Sequence, residues 1–117
     1  MPVLTVDTNV PGDGAADSAF LKRASESLAE LLGKPEQYVM VRLERHDSMC
    51  FAGTQAPLAY AEVKSLGLPE ERTQEFSAGL CQLLHGELGV PPDRIYIEFS
   101  SPPRHLFGYN STTFSPG

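Results

Sequence analysis

Slid along itself by 56 residues, the chain matches its own pattern, and this internal repeat restricts the available folds more than any other feature. Leu32-Gly33-Lys34-Pro35 falls on Leu88-Gly89-Val90-Pro91. In the same register Val39, Val41 and Leu43 fall on Ile95, Ile97 and Phe99, while Met40, Arg42 and Glu44 alternate with them as Tyr96 and Glu98 do. Runs of β-branched and apolar residues at Val3 to Val6, Tyr38 to Leu43, Ala59 to Val63 and Ile95 to Phe99, bounded by Gly, Pro or Asp, predict four strands. Between the first two, Phe20, Leu21, Ala24, Leu28, Leu31 and Leu32 share one face of a helix, with Asp17 or Ser18 as its cap and Gly33 at its end. Between the last two, Phe76, Leu80, Leu83, Leu84 and Leu88 form the same stripe, with Pro69 near the first turn and Gly89 after the last. The fold class is therefore α/β (α+β). Duplicated βαβ units build a four-stranded mixed sheet with two helices on one face, in a single domain over 1–117 with pseudo-repeats of about 1–57 and 58–117. Right-handed crossovers put both helices on the same side of the sheet. The opposite face, carrying Met40 and Tyr96, has no cover from its own chain and is expected to be buried against other subunits.

Charge narrows the function classes. Nine Lys and Arg against 15 Asp and Glu give a net charge of −6, which disfavours nucleic acid and anionic membrane surfaces. No apolar run approaches a membrane span and no basic segment leads into a long apolar one, so the cytosol is the expected compartment. Cys50 and Cys81 show neither CxxC spacing nor a partner His pattern, so both read as small core residues, with no metal site. His46, His85 and His105 lack helical partners among themselves, and His85 reads as a favourable cation near the end of the second helix. Glycine-rich phosphate loops, GxSxG and HExxH are absent, and no cofactor is implied.

Pro2 is the residue with the most chemical consequence. Removal of an initiator Met before a small residue leaves a secondary amine at the start of the chain, a base with no side-chain tether. Met1-Pro2, the loop Asn9 to Gly12, the block Gly33-Lys34-Pro35-Glu36-Gln37-Tyr38-Val39-Met40-Val41, Pro92-Asp93-Arg94-Ile95-Tyr96-Ile97, and the ending Gly108-Tyr109-Asn110 with Ser111-Thr112-Thr113-Phe114 resemble the macrophage migration inhibitory factor and D-dopachrome tautomerase family. The likeness covers nearly the whole chain through several separated motifs.

The resemblance implies a homotrimer with an inner barrel of three sheets, helices outside and pockets at the subunit interfaces. It implies keto–enol tautomerisation of an aryl 2-oxo acid such as phenylpyruvate, or of a dopachrome-like substrate, with Pro2 as general acid–base and no cofactor. A base at neutral pH must be largely unprotonated, and burial and a neighbouring cation both lower an amine's pKa. Lys34 matches the family's pocket Lys and would supply that cation, while pairing with the substrate carboxylate or the developing enolate oxygen. Ser65 and Leu66 match positions at a strand end that reach the substrate, and Tyr96, Phe107, Tyr109 and Phe114 stand at the aromatic and apolar wall.

Three departures bear on substrate choice. Glu98 replaces an Asn, Tyr109 replaces a Trp and Phe107 replaces a smaller aliphatic residue. A carboxylate at Glu98 facing the pocket would favour protonated Pro2 and oppose an anionic substrate. Alternatively, Glu98 faces a solvated channel or pairs with Arg42. The family's CxxC, tied to thiol oxidoreductase activity, is missing, since Leu58 and Ala61 hold those positions. The alternative function is a cytokine-like or effector protein that engages a cell-surface receptor with little or no turnover, exported without a signal peptide. A structural or regulatory trimer without turnover is a further alternative.

Overall fold

Each half of the chain builds one strand-helix-strand unit. The computed structural model describes residues 1–115. Strand β1 (Val3–Thr8), helix α1 (Gly14–Leu32) and strand β2 (Met40–Arg45) form the first unit; β3 (Ala59–Lys64), α2 (Thr73–Leu88) and β4 (Ile95–Ser100) form the second. Within each unit the two strands pair in parallel, and the units join through an antiparallel β1·β3 pairing, giving the order β2-β1-β3-β4. The repeat extends to the punctuation. Gly33 and Gly89 end their helices at φ +64° and +74°, a conformation that glycine adopts without the Cβ clash other residues meet. After them, Pro35 and Pro91 open matching 3₁₀ turns at Glu36–Tyr38 and Pro92–Arg94.

Both helices pack on one face, where Phe20, Ala24, Leu28 and Leu32 of α1 and Phe76, Leu80, Leu84 and Leu88 of α2 meet Leu4, Val6, Ala61, Val63 and Ile95. Strand alternation sends the other set outward: Met40 and Tyr96 are each 65% exposed. A polar row, Arg42, Thr5, Glu62 and Glu98 in register, crosses all four strands between the levels of Met40 and Tyr96, so the edge strands of the uncovered face carry both apolar and charged side chains.

Some local expectations are corrected. The cap of α1 is Asp13, whose Oδ1 accepts from the Ala16 N–H at 2.8 Å, one turn before Asp17 and Ser18; Gly14 and two alanines let the helix begin ahead of its first apolar residue. Strand β2 begins at Met40 rather than Tyr38, because the 3₁₀ turn consumes Tyr38. Pro69 precedes a 3₁₀ turn at Glu70–Arg72 instead of entering the first turn of α2. Cys50 is exposed in the long β2–β3 loop, and only Cys81 is partly buried, its thiol pKa pushed up by burial. A short hairpin, β5 (Gly108–Tyr109) with β6 (Thr112–Thr113), forms a separate two-stranded sheet after β4.

Candidate active site

The amino end of β1 lies between β2 and β3, an interior position where a residue without an N–H fits only at the strand's start. Pro2 occupies that place, fully buried, with its carbonyl accepting from the Met40 N–H at 3.0 Å. Lys34 emerges from the left-handed cap Gly33, its own N–H bonded to Ala29 O at 2.9 Å, and is partly buried. Ser65 and Leu66, buried at the end of β3, approach from the opposite side, and the Ser65 N–H donates to Ser100 O at 3.0 Å.

A cavity of about 160 Å³ opens here, lined by Met1, Lys34, Pro35, Tyr38, Leu66 and Arg104. The amine of Met1, the residue before Pro2, is held below its ordinary pKa by burial first, then by the charges of Lys34 and Arg104. Sequence reasoning missed Arg104. Its only available signal was a cation placed directly after the stiff Pro102-Pro103 pair in an acid-rich chain. Tyr38 leads from the cavity to an aromatic wall: it meets Tyr109 edge-on at 5.7 Å, Tyr109 stacks on Phe114 at 5.4 Å, and Phe107 lies 5.8 Å from Phe114.

The remaining sequence candidates stand elsewhere in the protomer. Glu98 and Phe107 line a wider depression of about 510 Å³ on the uncovered sheet face, with Val3, Lys64 and Ser100. Tyr96 packs on Phe51 at 4.7 Å, away from the Lys34 cavity. Pairing of Glu98 with Arg42 does not occur within the protomer, because β4 and β2 are opposite edges of the sheet; Arg42 lies 3.6 Å from Glu44 instead. Glu98 faces Tyr60, whose hydroxyl donates to Glu62 at 3.0 Å and lies 3.3 Å from Glu98. The hydrogen bond to Glu62 is the largest cause pushing the Tyr60 pKa up to about 12.

Among the described residues, the one grouping with metal-ligating reach is Asp7, Glu44 and His46, whose ligand atoms lie within 4.8 Å of one another. It sits at the far end of β1 from Pro2. His46 Nε2 is already 2.7 Å from Asp7 Oδ1, a contact that clasps the ends of β1 and β2.

Comparison with known proteins places this geometry. The family described as macrophage migration inhibitory factor (MIF) matches residues 1–115. A macrophage migration inhibitory factor homolog of Brugia malayi is 39% identical over 97% of this chain and 99% of its own. The macrophage migration inhibitory factor of Rattus norvegicus is 34% identical over 98% of this chain and 100% of its own. Among solved structures, the homologue from Prochlorococcus marinus superposes with a TM-score of 0.88 at 45% identity, covering 97% of this chain and 99% of that one. The protein from Trichinella spiralis superposes with a TM-score of 0.86 at 31% identity, covering 95% and 98%.

Proposed function

Because the chain belongs to the macrophage migration inhibitory factor family, which has tautomerase-type and cytokine-like members, we propose that it is a keto–enol tautomerase with Pro2 as its general acid–base. The observation that carries this reading is the placement of fully buried Pro2 at the start of β1, directly after Met1, which lines one cavity with Lys34 and Leu66. The Met1 amine in that cavity is held below its ordinary pKa by burial and then by Lys34 and Arg104. Removal of Met1 turns the Pro2 nitrogen from an amide into a secondary amine. In that setting desolvation and cationic neighbours favour its neutral, basic form.

With phenylpyruvate or a dopachrome-like substrate, the Pro2 nitrogen takes the proton from the carbon next to the carbonyl. The C–H electron pair moves into the new C=C bond and the carbonyl pair onto oxygen. The proton then passes from the ammonium to that oxygen, and ketonisation runs the same steps backwards. Lys34 stabilises the oxygen charge as it develops. Tyr109 and Phe114 hold the aryl ring, and Ser65 and Leu66 close the floor. In a homotrimer, a neighbouring subunit brings Tyr96, Glu98 and Phe107 to the pocket from the uncovered sheet face. No step requires a cofactor.

The test is ketonisation of the phenylpyruvate enol by protein whose intact mass shows loss of Met1. A variant retaining a residue in front of Pro2 is expected to lose activity about 100-fold or more, since positioned acid–base catalysis contributes at least that much. Equal turnover by both forms would remove Pro2 from the mechanism. The relatives named macrophage migration inhibitory factor support a second reading, an exported cytokine-like protein that binds a cell-surface receptor. A correctly processed protein with no turnover would favour it. Among the described residues no helix is long and apolar enough to cross a membrane.

A further inference from the structure

Among the described residues, Arg104 is the arginine without a partner. Arg23, Arg42, Arg45 and Arg72 each hold a carboxylate, and Arg94 donates to backbone carbonyls of the 51–57 loop. Arg104 forms no ion pair or side-chain hydrogen bond among the described residues, in a chain with 15 acidic residues from which to find one. Its backbone is nevertheless well defined. It opens the 3₁₀ turn Arg104–Leu106 after Pro103, with Leu106 N–H bonded to Pro103 O at 3.0 Å and Phe107 N–H to Arg104 O at 3.2 Å. The guanidinium lies over Gly67, where a Cβ would come to 3.6 Å of it, and lines the cavity that Lys34 also lines; among the described residues no carboxylate lines that cavity.

Two cations without counter-charges in one cavity call for a ligand with two centres of negative charge. The 2-oxo acid of the proposed reaction has a carboxylate throughout and acquires a second anionic oxygen as the C–H bond breaks. The two cations differ in shape. A guanidinium presents parallel N–H donors that match both oxygens of a carboxylate, whereas an ammonium is a compact charge suited to a single oxygen.

We propose that Arg104 receives the substrate carboxylate as a two-point ion pair, leaving Lys34 to the oxygen that becomes the enolate. Arg104 is then the residue that sets the preference for acids over their esters. This division of labour rests on the tautomerase reading above.

The experiment compares phenylpyruvate enol with its methyl ester on wild type, Arg104→Gln, Arg104→Lys and Lys34→Ala. Arg104→Gln, compared with wild type at a pH on the plateau of each profile, is expected to raise KM for the acid about ten-fold or more, the scale of a lost charge-assisted pair, and to raise KM for the ester far less. Arg104→Lys restores only part of the acid preference, because the charge returns without the fork. Lys34→Ala lowers kcat for acid and ester alike. Equal losses for acid and ester in Arg104→Gln, or an acid-selective loss confined to Lys34→Ala, would overturn the assignment. If processed wild type turns over neither substrate, the tautomerase reading fails, and calorimetric titration of phenylpyruvate and its ester decides the question separately. Acid-selective weakening by Arg104→Gln then still places the carboxylate on Arg104, and unchanged acid binding refutes it.

Discussion

Lys34 and Arg104 lower the pKa of the Met1 amine, and in the proposed trimer a Glu98 carboxylate brought in by a neighbouring subunit would raise that of Pro2, so the outcome is readable as pH dependence. A cation beside an amine destabilises the ammonium and lowers its pKa; a carboxylate does the reverse. The proposed tautomerase mechanism requires the neutral amine, so its rate rises with pH through the amine's pKa. Lys34→Ala is expected to move that rising limb to higher pH, and Arg104→Ala to move it the same way by less, following the order of their influence on the terminal amine. Glu98→Gln should move the limb to lower pH by about one unit if a neighbouring subunit seats Glu98 at the pocket, and should tighten binding of anionic 2-oxo acids. A pH–rate profile of each variant checks the signs. Unchanged profile and affinity in Glu98→Gln would place that carboxylate with Tyr60 and Glu62 on a solvated surface, as in the isolated protomer.

At the scale of elements, the two halves share a plan but not the means of anchoring it. Helix α1 is tied down by Asp13 at its cap and by Arg45, whose Nε bonds Asp17 at 2.7 Å and whose Nη1 bonds Val10 O at 2.7 Å. Asp13→Ala is expected to cost about 1 kcal/mol, measured as a lower midpoint of chemical unfolding. In the second half the organiser is Arg94, which bonds the carbonyls of Phe51, Thr54, Ala56 and Pro57 and lies 5.3 Å from the Phe51 ring centre. It thereby fixes the loop that backs Tyr96. Arg94→Ala is expected to destabilise by about 2 kcal/mol, since several charge-assisted bonds go at once and their carbonyls face solvent afterwards. Hydrogen exchange should show the loss concentrated in residues 51–57.

For the whole molecule, shape argues for partners. The radius of gyration is 14.8 Å, against about 13 Å for a compact chain of this size, and the segment after β4 exposes Leu106 (68%) and Tyr109 (52%). Strands β2 and β4 leave unpaired edges beside exposed Met40 and Tyr96, which invite pairing with another chain. The proposed homotrimer of 12.7 kDa protomers would cover these exposed side chains and edges. Sedimentation at micromolar concentration should give three times the protomer mass, and a monomer there would exclude any pocket shared between subunits.

The architecture was legible in the chain because the repeat is written in residues whose local physics is strict. Left-handed Gly33 and Gly89 end helices, Pro35 and Pro91 restart the chain, and alternating rows choose a face, so the sequence of elements and the layer followed from spacing, whereas the strand order β2-β1-β3-β4 came from the structure. Pro2, Lys34, Ser65 and Leu66 were legible through a resemblance and converge around the amino end of β1. Three further things depended on tertiary structure. The α1 cap moved to Asp13 because several residues near the start can accept from an early N–H and only the packed helix selects one. The division of Tyr96 and Glu98 from the Lys34 cavity follows from sheet order, which places β4 two strands from β1. Arg104 joins Lys34 across 70 residues of sequence because a turn after two prolines folds back over Gly67, a proximity that no local pattern encodes.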